Sequence, residues 1–268
     1  MKIQQRGIRR LSFAIPMAVA LTLVATACAG TEGGSQSGEE QKTITVITSN
    51  DAPFSMDDGD GGLTGIDGDM ITAIAETNGW KIKVFVTDFN TMIPALQSNK
   101  GDVIVDAMYI TDERAKEINF TDTWYIQGEG MLVPGDSDLK SRDDVKGKVL
   151  GAQTGTVFAE FIESLGGSDT KFFDSQAAII QAVENGQVDA AFTDSAVVAY
   201  SLVQNPNDKV KLVTPYEPHF PGKIGAGIKK DNPELLEDIN TGLAELKESP
   251  DYLEILKKYG LGEDNVAE

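Results

Sequence analysis

Residues 101–114 read GDVIVDAMYITDER, and they restrict the fold more than any other stretch of the chain. Val103, Ile104 and Val105 make an unbroken apolar run between Asp102 and Asp106, the pattern of a short strand covered on both faces, as in a parallel sheet. The run stops at Tyr109, Thr111, Asp112 and Arg114, so a polar cluster sits at the C-terminal end of a strand, where open α/β sheets bind ligands. Arg114 is the first candidate for a binding residue, because a guanidinium keeps its charge and can grip a carboxylate through two parallel hydrogen bonds. A surface pairing with Asp112 or Glu113 is the competing reading.

The rest of the chain repeats this strand-and-loop pattern. Residues 42–48 alternate Thr and Lys with Ile and Val and read as a first strand, which feeds a loop carrying Asp51, Pro53 and Phe54. The acidic run at 57–62, DDGDGG, lacks the later ligands of a calcium loop and reads as a hairpin turn. Asp67 is expected to cap a helix with Ile66, Met70, Ile71 and Ile74 on one side, ending near Asn78 and Gly79. Residues 81–86 predict a second strand, followed by Phe89 and a helix with Met92, Ile93 and Leu96 turned inward. Three strands thus end in loops bearing Asp51 and Phe54, then Phe89, then Tyr109 and Arg114, and in a parallel sheet those ends lie side by side.

Residues 119–133 read as extended chain, and from Lys148 the alternation restarts. Strands are expected at 149–152, 171–173 and 188–192 and helices at 157–165 and 175–185, which makes a second α/β domain. Gly155 and Thr156 form the turn into the first of these helices, where backbone N–H groups and a hydroxyl suit a carboxylate; an ordinary Thr N-cap is the alternative. The segment GKIGAGI at 222–228 is strand-like, and 233–246 and 252–259 are amphipathic helices.

Composition narrows the function. A formal net charge of −19 and no concentration of Lys or Arg argue against nucleic acid as a partner. Lys2, Arg6, Arg9 and Arg10 precede an apolar run that ends at Ala25-Thr26-Ala27-Cys28, the only cysteine, a pattern that resembles a lipoprotein signal peptide. Cleavage before Cys28 would remove four basic and no acidic residues, taking the charge from −19 to −23. Membrane attachment would then rest on acyl chains at Cys28, on the extracellular face of the cell membrane. Residues 28–41, rich in Gly, Ser, Glu and Gln, read as a flexible tether. No Ser-His-Asp set, metal-spaced cluster or phosphate loop is present, and His219, the only histidine, lies in a Pro-bounded loop, so neither a catalytic site nor a cofactor or metal is expected.

The segment IPALQSNKGDVIVDAMYITDERAKEINFTDTWY resembles the signature of the family 3 extracellular solute-binding proteins, the ligand receptors of ABC importers for polar amino acids and related zwitterions. Pro94 to Ser98, Asp102, Ile110-Thr111, Glu113-Arg114, Phe120-Thr121 and Tyr125 fall in the family's order. The resemblance implies an α/β, two-lobed Venus-flytrap fold of the type II periplasmic-binding-protein kind. Lobe 1 would comprise 42–127 and 225–268 and lobe 2 would comprise 128–224, joined by two hinge strands. It implies a monomer that delivers a small zwitterion to permease subunits. Arg114 would hold the carboxylate with Gly155 and Thr156 facing it across the cleft, and Asp194 would take the ammonium group; for Asp194 a helix-capping role is the alternative. Where many relatives carry an aromatic residue in the first loop this chain has Asp51, and where they carry a small hydroxyl residue before Ile-Thr it has Tyr109. Asp51, Phe54, Phe89, Met108, Tyr109 and Arg114 resemble the pattern of ectoine-binding members, in which Phe54, Phe89 and Tyr109 would box a delocalised cation; a core role for Phe54 and Phe89 is the alternative. Two other functions remain open: a dehydratase acting on cyclohexadienyl acids, and a sensor that passes its ligand state to a signalling protein.

Overall fold

The structure, a computed structural model, describes residues 41–166, 168–219 and 221–267. The signal segment, Cys28 and all but the last residue of the expected tether lie outside the described residues.

Strand β1 (Thr43–Thr48) opens the fold because Ile44, Val46 and Ile47 are all fully buried, each side chain contributing roughly 1.5–3 kcal/mol. A small hairpin follows, β2 (Met56–Asp57) with β3 (Leu63–Thr64). In its acidic turn Asp58 Oδ1 accepts the N–H groups of Asp60 and Gly62 at 2.8 and 2.9 Å. Helix α1 (Ile66–Thr77) buries Met70, Ile71 and Ile74. Its N-cap is Gly65 and not Asp67, correcting the expectation from sequence. Gly65 has φ 106°, and a Cβ there would lie 2.4 Å from the carbonyl oxygen of Phe54, so only glycine fits. Asp67 sits inside the first turn, 2% exposed, and its carboxylate accepts the N–H of Ala107. That contact holds Ala107 at φ 47°, a left-handed kink just past the end of a strand, between Asp106 and Tyr109.

Strand β4 (Lys81–Val86) lies parallel to β1. After it the turn Phe89–Thr91 enters α2 (Met92–Gln97), which buries Met92 and Leu96. Strand β5 (Val103–Ile104), the apolar run of the opening motif, pairs parallel to β1 on the other side, with Val46 opposite Val103 and Ile47 opposite Ile104. Helix α3 (Asp112–Glu117) and strand β6 (Asn119–Phe120) complete this half. The chain then leaves through β7 (Tyr125–Gln127) for a second sheet: β8 (Glu129–Pro134), β9 (Val149–Gln153), helix α4 (Val157–Ser164), β10 (Asp169–Phe173), helix α5 (Gln176–Glu184), β11 (Ala190–Asp194), helix α6 (Ser195–Gln204) and β12 (Val210–Leu212). It returns through β13 (Gly222–Ile224) to β14 (Gly227–Ile228), then helices α7 (Pro233–Glu248) and α8 (Pro250–Lys258).

The two sheets have the same plan. The first runs β4-β1-β5-β14-β6 and the second β10-β9-β11-β8-β12. In each, three parallel strands are followed by one antiparallel strand, and that strand is the one adjoining a crossing segment. The crossings themselves, β7 and β13, pair antiparallel with Ile224 opposite Tyr125. The result is a two-lobed α/β fold. Helix α7 packs back on α1. The C-terminal segment braces the first crossing, with Tyr252 donating to the Trp124 carbonyl at 2.6 Å and Asn265 to the Ile126 carbonyl at 2.8 Å.

Candidate functional site

The C-terminal ends of β1, β4 and β5 face the corresponding ends of β9 and β11, and the loops between them line one narrow cavity. From the first lobe come Asp51, Phe54, Phe89, Asp106, Tyr109 and Arg114; from the second come Gln153, Thr156, Phe158, Gln176 and Asp194.

Arg114 is not a surface partner of its neighbours. Glu113 is bonded to Lys116, while the Arg114 guanidinium donates to the carbonyls of Tyr109 at 2.8 Å and, across the cleft, of Gly155 at 3.0 Å. It also lies over the Phe89 ring, 5.5 Å from its centroid. Burial pushes its pKa down to about 10, which leaves it protonated at neutral pH. The Tyr109 ring packs edge-on against Phe158 of the other lobe, with centroids 5.6 Å apart. Its hydroxyl donates to Asp194 Oδ1 at 3.1 Å. The ring also lies against Gly222 of β13, where a Cβ would come within 1.8 Å of Tyr109 Cε1. The backbone on either side is stitched to the same strand, Ile110 N–H donating to the Lys223 carbonyl and Gly225 N–H to that of Met108. One loop therefore joins the cavity to the hinge.

Asp194 occupies the N-cap position of α6, yet its side chain makes no capping bond. It accepts instead from Tyr109 and from Gln127 Nε2 at 2.7 Å. Burial pushes its pKa up to about 8, the charges of Asp51 and Asp67 adding to the shift against the hydrogen bond from Tyr109. Thr156 likewise holds the N-cap position of α4 without capping it. Its N–H and hydroxyl both donate to the carbonyl of Gln153, so the sequence-based picture of two donors held open for a carboxylate is not the arrangement found. Gly155, with φ 78°, lets the two lobes touch: a Cβ there would lie 2.7 Å from that of Asn90. Met108 does not line the cavity. It is 1% exposed and packs with Ile47, Met92, Leu96, Ile104 and Ile118, because the kink at Ala107 turns it to the opposite side from Asp106.

Sequence reasoning passed over Asp106, Gln153, Phe158 and Gln176. Asp106 closes the β5 run and was readable only as its boundary. Gln153 and Gln176 form a relay, Gln176 Nε2 donating to Gln153 Oε1 at 2.8 Å and Gln153 Nε2 donating to Asp51 Oδ2 at 3.1 Å across the cleft. Among the described residues no group of His, Cys, Asp or Glu is placed to hold a metal ion, and no helix is long and apolar enough to cross a membrane. His219 is exposed, stacks on Phe161 and lies outside this cavity.

Residues 44–262 match the family model for bacterial extracellular solute-binding proteins, family 3. The chain belongs to that family. The arginine-binding extracellular protein ArtP of Bacillus subtilis (strain 168) is 29% identical over 250 residues, covering 92% of this chain and 96% of its own. Among solved structures, an ancestral arginine-binding protein bound to arginine is 37% identical with a TM-score of 0.75, covering 82% of this chain and 99% of that one. The ancestral amino acid-binding protein AncCDT-1, a precursor of cyclohexadienyl dehydratase, is 32% identical with a TM-score of 0.73, covering 81% and 95%. Family 3 proteins are extracellular solute receptors, and the cavity between the two sheets is the place in this member where charged and aromatic side chains of both lobes meet.

Proposed function

We propose that this protein is the substrate-binding lipoprotein of an ABC importer, capturing a small zwitterion, an amino acid first, between its lobes and presenting the closed form to the permease. The observation that carries the reading is that Arg114, a cation, and Asp194, an acid, line one cavity from different lobes. Arg114 would take the ligand's carboxylate, and Asp194 its ammonium group, which restores the aspartate to its ionised form by supplying the opposite charge. Contacts from both lobes favour the closed state by differential affinity, and the loop that carries Tyr109 and is bonded to β13 ties closure to the hinge. Tyr109 and Gln127 hold Asp194 in place for that role. Cys28 would carry the lipid that keeps a monomeric receptor at the outer face of the membrane, with residues 28–41 as its tether.

A second reading, an ectoine-like cyclic amidinium, draws on Phe54, Phe89 and Tyr109 lining the same cavity. The amino acid reading is preferred because the Phe89 face is covered by the chain's own Arg114 and the Tyr109 ring is tied down by Phe158 and Asp194. Calorimetric titration of protein unfolded and refolded to strip carried-over ligand tests both. Tight binding of a polar or cationic amino acid with ectoine silent is the expected result; tight ectoine binding with amino acids silent would replace it.

A further inference from the structure

The loop after β5 changes phase at one residue, and a side chain from another element holds it there. Had the chain continued extended, successive side chains would alternate, so Asp106 and Met108 would share one face and Ala107 and Tyr109 the other. Instead Asp106, Ala107 and Tyr109 all line the cavity, while Met108 lies in the core. Ala107, at φ 47°, makes the shift. Alanine enters that left-handed region at a cost, because its Cβ crowds the carbonyl oxygen that follows. The kink also sets Asp106, which accepts from Ser49 N–H at 2.7 Å, and the Ser49 hydroxyl reaches both Asp106 and Asp51.

The Ala107 N–H donates to Asp67 Oδ2. Asp67 makes no capping bond for α1, and among the described residues it joins no ion pair. Its second oxygen, Oδ1, is fully buried with no hydrogen-bond partner among those residues. A buried acid with an orphaned oxygen costs stability, so its place in this turn asks for a role other than stability. The same turn holds the first cavity loop by its backbone, Ile66 N–H donating to the Pro53 carbonyl and Asp67 N–H to that of Phe54, both at 2.8 Å. Asp67 therefore ties together two loops that meet at the cavity, although it does not line the cavity itself. We infer that Asp67 is a positioning residue for ligand recognition, its carboxyl fixing the Ala107 kink and so selecting Tyr109, instead of Met108, as the side chain that faces the ligand. The recognition half rests on the reading under Proposed function; the loop geometry is tested without any ligand.

The test follows Met108 and the binding site together, on the full chain. Hydrogen peroxide oxidises accessible methionine thioethers, and peptide mass spectrometry can read Met108 beside Met92 and Met131, which are as deeply buried and report global unfolding. In Asp67→Ala, Met108 should oxidise about tenfold faster or more than in the unaltered protein, with Met92 and Met131 changed by less than about twofold. Asp67→Asn keeps an oxygen for the Ala107 N–H and should leave Met108 protected. Adding Ala107→Gly to Asp67→Ala should restore protection, because glycine adopts a positive φ without outside support. Affinities for L-arginine and L-glutamine by calorimetry should follow the same order, falling about tenfold or more in Asp67→Ala and returning to within about threefold in the other two. Met108 protected in Asp67→Ala would overturn the inference, and so would oxidation of all three methionines that Ala107→Gly does not rescue. Met108 released with both affinities unchanged would overturn it too, leaving the receptor reading intact. Binding of neither amino acid by the unaltered protein would count against the receptor reading, and the oxidation pattern would still decide whether Asp67 sets the loop.

Discussion

The two walls of the cavity are built from sheets of identical strand plan, yet they differ in kind. The first wall carries Asp51, Asp106 and Arg114 with the rings of Phe54, Phe89 and Tyr109; the second carries Gln153, Gln176, Thr156 and Phe158, with Asp194 its single ionisable group. The second wall's polar groups are largely satisfied among themselves, Gln176 on Gln153, the Thr193 hydroxyl on Gln176, and Thr156 on the Gln153 carbonyl. A pre-wired neutral surface costs little to desolvate, whereas charges facing a ligand gain most when water is excluded around them. The difference points to a division of labour under the proposed function, in which the first lobe would supply most of the charge that recognises the ligand and the second would close over it with one carboxylate and a set of fixed dipoles.

Several substitutions would break or sharpen that contrast. The largest effect belongs to Arg114→Gln, which removes the cavity's cation and the contact to Gly155; amino acid affinity measured by titration should fall by about a hundredfold or more, the scale of losing one partner of a desolvated charge pair. A fall of less than about fivefold would deny the first wall its leading part. Asp194→Asn comes next, with a loss of roughly ten- to fiftyfold, since it removes the only charge of the second wall while leaving an acceptor for Tyr109 and Gln127. Equal losses in the two variants would erase the asymmetry. Gln153→Ala should cost about three- to tenfold, the worth of the one hydrogen bond it donates to Asp51 across the cleft; a larger loss than that of Asp194→Asn would make the amide relay the dominant closing contact.

The smallest effect is on stability. Asp67, behind the first wall, has its pKa pushed up to about 7 by burial, and Asp194 its own up to about 8. Both lie above the unfolded value of 3.8, so the folded protein binds more protons than the unfolded one throughout that interval. Melting temperature of the ligand-free protein should therefore rise as pH is lowered from 8 to 5, and Asp67→Asn should flatten the rise. A melting temperature that climbs with pH over that window would contradict the burial argument.

Much of the first wall was legible because its residues close apolar runs at strand ends. Arg114, Tyr109, Phe89, Phe54 and Asp51 were read from that position alone, and the structure gathers all of them at one cavity. Asp194 was named through the family resemblance, and the structure places it in the same cavity, at the end of β11. Met108 and Asp67 were misread for one shared reason: the left-handed Ala107 rotates the loop, so Met108 turns into the core and Asp67 is drawn from the helix cap to the Ala107 N–H. Sequence periodicity carries no signal for a single residue of unusual φ. Asp106 and Gln153 were missed because an acid or amide at the edge of a strand looks like a boundary until the facing loop is in place.

The sequence by itself determined the repeated α/β pattern, the strand-end loops and the candidate arginine, since these follow from apolar runs and their interruptions within a few residues. Only the tertiary structure decided which loops face one another. The crossings at β7 and β13, the contact of Arg114 with a carbonyl 41 positions away, and the sharing of Ser49 between two aspartates depend on chain segments brought together by packing. Local propensity encodes what each segment can become, while burial of the two sheets and the pairing of their hinge strands fix where its polar end points.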